Sequence, residues 1–118
     1  MIAKFAGACM LVLAAAAPTG AAAGTTYDGA WSLSIVTERG TCDRYNFPVR
    51  IDNGHVSFPG LVKAHGRVTG RGSVRVFVSA MGKSASGSGR LSLGSGSGRW
   101  TGRSGSDRCS GSWTAQRS

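Results

Sequence analysis

The stretch Phe47-Pro48-Val49-Arg50-Ile51-Asp52-Asn53-Gly54-His55-Val56-Ser57-Phe58 constrains the fold more than any other part of the chain. Asn-Gly between two alternating runs marks a two-residue type I′ hairpin, because both turn positions need positive φ. Folded about Asn53-Gly54, Asp52 lies opposite His55, Ile51 opposite Val56, Arg50 opposite Ser57 and Val49 opposite Phe58. Every apolar residue of the run then takes one face and every polar residue the other.

That phase extends along the chain. A first strand is expected over 29–37, with Trp31, Leu33 and Ile35 inward. A longer loop over 38–45 carries Cys42. Pro59-Gly60 suits a turn, and Lys63 breaks the alternation, so a bulge is expected there. A Gly70-Arg71-Gly72 loop pairs Val68 with Val74, Arg67 with Arg75 and His65 with Phe77. A Met81-Gly82 turn pairs Val78 with Ala85, Val76 with Gly87 and Val74 with Gly89. A Gly94-Ser95 turn would pair Leu91 with Gly98, Arg90 with Arg99 and Gly89 with Trp100. A loop over 104–107 pairs Trp100 with Gly111, Gly102 with Cys109 and Gly98 with Trp113. A glycine opposite a large ring leaves room for it and is covered by it.

The outcome is eight antiparallel strands in up-and-down order. We expect a small eight-stranded antiparallel barrel or barrel-like meander with one disulfide, since closing the first strand on the last removes exposed edges. An open two-sheet sandwich is the alternative. Trp31, Val49, Ile51, Val56, Phe58, Val74, Val76, Trp100 and Trp113 form the expected core. Composition alone would make 84–112 a Gly/Ser linker. Leu91, Trp100, Cys109 and Trp113, however, all fall in one strand phase, which a linker does not require.

Residues 1–23 read as a secretory signal. Lys4 supplies the charged region, Phe5 to Ala17 the apolar run, and Ala21-Ala22-Ala23 the cleavage site, leaving one domain over 24–118. Cys9 lies near the front of the apolar run rather than after it, which argues against a lipid anchor. The two remaining cysteines, Cys42 and Cys109, form one disulfide in an oxidising compartment. Loop polarity also places them at the same end of the ladder. The mature chain carries no membrane span, and its address is periplasmic or extracellular.

Catalytic signatures are wanting. Gly82-Lys83-Ser84 ends like a P-loop, but Phe77 stands where its first glycine is required, and no helix follows. No serine sits on a G-x-S-x-G elbow, and three converging metal ligands are lacking. His55 faces Asp52 beside a tight turn, and His65 lies on the outer face. No enzyme activity, metal or cofactor is expected.

Charge is more informative. Without Lys4, 13 lysines and arginines stand against 5 acids, a formal +8, and 11 of these cations are arginines. Arginine prefers planar anions such as carboxylate and phosphate. Two candidate sites emerge. One is an outer face where Arg67 opposes Arg75 and Arg90 opposes Arg99 in the expected register. The other is the disulfide end, with Arg39, Arg44, Tyr45, Lys83, Arg103 and Arg108. The reading is an exported binding module for an anionic polysaccharide, envelope surface or nucleic acid. Alternatives are an inhibitor or adhesion module acting on a secreted protein, and a small-ligand carrier lined by the three tryptophans. The oligomeric state is left open.

The segments Asp28-Gly29-Ala30-Trp31-Ser32-Leu33, Arg39-Gly40-Thr41-Cys42-Asp43 and Cys109-Ser110-Gly111-Ser112-Trp113-Thr114 resemble a group of small exported bacterial proteins of unassigned function. The resemblance covers nearly the whole mature chain and implies no activity. Gly29-x-Trp31 opening the first strand is similar to the start of lipocalin and avidin barrels. It also resembles the small periplasmic metalloprotease inhibitors, which are single-disulfide eight-stranded barrels. That likeness implies that a free N-terminal segment, Gly24-Thr25-Thr26-Tyr27, would insert into an enzyme.

Overall fold

Small or apolar residues alternating with hydroxyl and arginine side chains produce eight strands: β1 (Gly29–Arg39), β2 (Tyr45–Asp52), β3 (His55–Ser57), β4 (Lys63–Val68), β5 (Ser73–Ala80), β6 (Lys83–Leu91), β7 (Ser95–Ser104) and β8 (Asp107–Arg117). The computed structural model describes residues 26–60 and 63–118. The expected signal and its cleavage site lie outside the described residues. Each strand pairs antiparallel with the next, and β1 pairs with β8, so the sheet closes into a barrel. The open sandwich falls because β1 and β8 pair and close the sheet, and the linker reading falls because β6 and β7 are joined by nine cross-strand pairs.

The organising hairpin has the expected register, with Asp52 opposite His55 and Ile51 opposite Val56. Asn53 and Gly54 both have positive φ, 53° and 80°. Asp28 accepts from both turn N–H groups, Asn53 at 2.8 Å and Gly54 at 3.1 Å, tying the chain before β1 to this turn. β3 ends at Ser57, so Phe58 is buried beyond the ladder rather than paired with Val49.

Two register expectations need correction. No bulge occurs at Lys63, which pairs with Ser79 in an unbroken run to Val68 opposite Val74. The shift lies instead between Thr37 and Arg39, where β1 meets β8. The β6–β7 turn is centred on Leu93-Gly94, not Gly94-Ser95. Leu91 therefore faces Gly96, Arg90 faces Ser97, and Arg99 faces Ser88. Arg90 and Arg99 do not oppose each other. Ser92 donates its N–H to the Ser95 carbonyl at 2.7 Å, and Arg117 donates its backbone N–H to Gly94 O and its Nε to Leu93 O, so the C-terminal strand holds this turn.

The core contains the expected Trp31, Val49, Ile51, Val56, Phe58, Val74 and Trp113, with Val68, Leu91 and Ala115 added. Val76 and Trp100 are only partly buried against it. Five of the interior positions of β6 and β7 are glycine, Gly87, Gly89, Gly96, Gly98 and Gly102, and the indoles occupy the space this leaves. A Cβ on Gly98 would lie 2.6 Å from Trp113 Nε1, and one on Gly89 would lie 2.5 Å from Trp113 Cζ2. Trp113 reaches over β7 to donate to Ser88 O at 3.2 Å. Cys42 and Cys109 are joined, with Cα atoms 6.1 Å apart. The cross-link spans 67 positions. The chain-entropy model gives about 4 kcal/mol for a loop of this size.

Candidate functional site

Residues directly opposite each other in an antiparallel sheet project to the same face, so the pairings trace rows of outward side chains around the barrel. One row runs Arg99, Ser88, Arg75, Arg67, His55 across β7 to β3. A second, two positions closer to the disulfide end, runs Arg39, Ser110, Thr101, Ser86, Phe77, His65. A third, two positions further, runs Arg108, Arg103, Ser84, Ser79, Lys63. The middle row is therefore a strip of three hydroxyls that ends at Phe77, with arginine-rich rows on either side.

The surface is concave along this strip. An open trough of about 440 Å³ is bordered by Arg39, Arg103 and Arg108, floored by Ser84, Ser86, Thr101 and Ser110, and ended by Phe77. Ala85, Gly102 and Cys109 also line it as the intervening inward-phase residues. Beyond Phe77 a second depression of about 460 Å³ continues past His65, Lys63 and Ser79. The Phe77 ring is 42% exposed and meets His65 at a tilted 5.9 Å between centroids.

The bulge shapes one end of the trough. With the register shifted between Thr37 and Arg39, Arg39 comes opposite Ser110, while Glu38 pairs with Arg99 at 3.0 Å. Bulges commonly re-aim side chains in this way. The other ion pair among the described residues joins Arg50 to Asp52 at 3.6 Å. Asp107 accepts from the Thr41 hydroxyl and from the Thr41 N–H at 3.1 Å. The hydroxyl bond and then the N–H bond hold its carboxyl below the usual aspartate range. Among the described residues, no carboxylate partners Arg39, Arg67, Arg75, Arg103 or Arg108.

The two expected sites are thus redistributed. Arg67 and Arg75 oppose each other as expected, and Arg103 opposes Arg108 in the same manner. Arg39, Arg103 and Arg108 converge on the outer wall of the barrel rather than on its mouth. Arg90 stands apart, donating to Arg71 O at 3.1 Å. Tyr45 falls in the inward phase and stacks on Phe47, with ring centroids 5.7 Å apart. Lys83 and Arg44 are exposed but do not line the trough. The hydroxyl strip escapes a reading of charge alone, although the expected β7–β8 register already places Thr101 beside Ser110.

Arg117 is committed elsewhere. Its guanidinium donates to the Asp28 and Thr26 carbonyls at 2.8 Å each and lies 4.7 Å from the Trp31 ring centroid. Cys42, Asp107 and Cys109 cluster as a metal set would, but both sulfurs are consumed by the disulfide. No helix among the described residues is long and apolar enough to cross a membrane. Comparison of the chain with protein-family models, curated proteins and solved structures gave no match.

Proposed function

We propose that the chain is an exported, non-enzymatic binding module that holds an anionic polymer against its outer arginine face. One observation carries this reading: Arg67 opposes Arg75, and Arg103 opposes Arg108, and among the described residues no carboxylate forms an ion pair with any of the four. Like charges directly opposite weaken a sheet, and an anion seated between them reverses the sign of that contribution. The signal-like leader and the paired cysteines support export.

Two features favour this reading over its rivals. Thr26 and Tyr27, half of the segment that an inhibitor would insert, are engaged by the barrel. Arg117 donates to Thr26 O, and Trp31 Nε1 donates to Tyr27 O at 2.8 Å. The space a carrier would need inside the barrel is occupied by indoles lying on glycine.

The test is binding of the oxidised protein to heparin, polygalacturonate, polyphosphate and single-stranded DNA across a salt series. Affinity is expected to fall steeply as salt rises. Replacing Arg67, Arg75, Arg103 and Arg108 with serine should flatten that dependence. No binding to any of the four polyanions at low salt would overturn the proposal.

A further inference from the structure

Resting on that reading, we infer that the trough beside Phe77 is a subsite for an acidic polysaccharide, a sugar chain bearing carboxylate or sulfate groups. What accompanies the charge points to the ligand class. A surface that only attracts polyanions needs cations; this one sets cations on both banks of a hydroxyl strip and places a ring at its end.

Each component matches one feature of such a chain. Ser86, Thr101 and Ser110 come from adjacent strands, so their hydroxyls recur roughly every 4.8 Å across the sheet. Hydroxyls both donate and accept, as sugar hydroxyls require. Phe77 offers an exposed apolar ring against which the C–H face of a pyranose can pack. Arg103 with Arg108 on one bank and Arg75 with Arg67 on the other present planar forks for carboxylate or sulfate. From Arg39 to His65 the row crosses six strands, a path on the order of 24 Å, long enough for several sugars.

Nucleic acid fits less well. Single-stranded binding surfaces stack successive bases on successive aromatics, whereas among the described residues Phe77 is the one aromatic ring lining the trough. There is also no helix in the described residues to enter a major groove. Serine and threonine side chains on the floor of the trough give bases nothing broad to stack on.

The deciding experiment titrates the full oxidised protein with heparin, polygalacturonate, polyphosphate and a single-stranded oligonucleotide of matched charge. An acidic glycan should bind at least tenfold more tightly than polyphosphate or the oligonucleotide. Phe77→Ala should weaken glycan binding about tenfold, the loss expected for part of a ring's apolar contact. Its salt dependence should not change. Thr101→Val with Ser86→Ala should likewise weaken glycan binding without altering the salt slope, whereas Arg103→Ser with Arg108→Ser should reduce the slope. Equal affinity for polyphosphate or the oligonucleotide, or glycan affinity indifferent to both Phe77→Ala and the hydroxyl pair, overturns this inference and leaves the general anion-binding proposal standing. Silence toward all four polyanions overturns both.

Discussion

Three indole N–H groups project into or along a barrel in which no described polar or charged residue is fully buried, and each is met by a backbone carbonyl: Trp31 by Tyr27 O, Trp100 by Val36 O and Trp113 by Ser88 O. Buried donors left unpaired cost about 1–3 kcal/mol each, so these contacts fix the ring orientations as well as filling space. Glycine is required beneath Trp113 for a steric reason, not a conformational one. Gly98→Ala is expected to destabilise the barrel by roughly 1–3 kcal/mol, as overpacking does. Gly94→Ala, with nothing within 4 Å of its added carbon, should stay within about 0.5 kcal/mol in the same denaturation experiment. Asp107 supplies a pH test at this scale. Because the Thr41 bonds depress its pKa, their contribution is present above the ordinary aspartate range and is lost as pH falls through the depressed value. A carboxyl-carbon NMR titration should place the Asp107 midpoint below the ordinary aspartate value, and Thr41→Val should raise it.

Strands and turns explain which parts of the fold were legible in the sequence. Side-chain phase has a period of two, so a slip by one residue exposes the core, whereas a slip by two leaves every side chain on its own face. The Asn53-Gly54 and Met81-Gly82 registers follow from their turn chemistry and were readable directly. The β6–β7 register was not, because Leu93-Gly94 and Gly94-Ser95 turns give patterns of identical polarity. The choice between them depends on Arg117 grasping Leu93 and on Trp113 reaching Ser88, contacts from a strand more than fifteen residues away. That two-residue slip separated Arg90 from Arg99 and changed the candidate face, while all the expected core residues kept their inward phase. The bulge between Thr37 and Arg39 was hidden for the same reason: only pairing with the last strand reveals it. The Asp28 clasp on the first hairpin gives this scale its prediction. Asp28→Ala should cost about 1.5–3 kcal/mol in chemical denaturation, the range for hydrogen bonds to a charged group. Amide exchange at Asn53 and Gly54 should accelerate more than in β6 or β7.

For the molecule as a whole, closure of the barrel and the Cys42–Cys109 bond supply enough rigidity to carry a face that electrostatics disfavours. If the opposed arginines serve binding, stability and affinity must respond to their removal in opposite directions. Arg75→Glu turns the Arg67–Arg75 contact from like to unlike charge. It should stabilise the free protein by roughly 0.2–1 kcal/mol, the range for a favourable cross-strand pair. The same change places a carboxylate in the arginine row beside the hydroxyl strip and should weaken polyanion binding at low salt far more than Arg75→Ser. Arg90→Glu provides the comparison, because Arg90 faces Ser73 and Ser97 rather than another arginine and lies one row further from the hydroxyl strip. It alters net charge by the same amount without relieving an opposed pair. Equal losses of affinity for Arg75→Glu and Arg90→Glu would mean that the polymer senses net charge alone. A larger loss for Arg75→Glu, together with a gain in stability that Arg90→Glu lacks, would mean that the barrel retains a local repulsion because a bound anion relieves it.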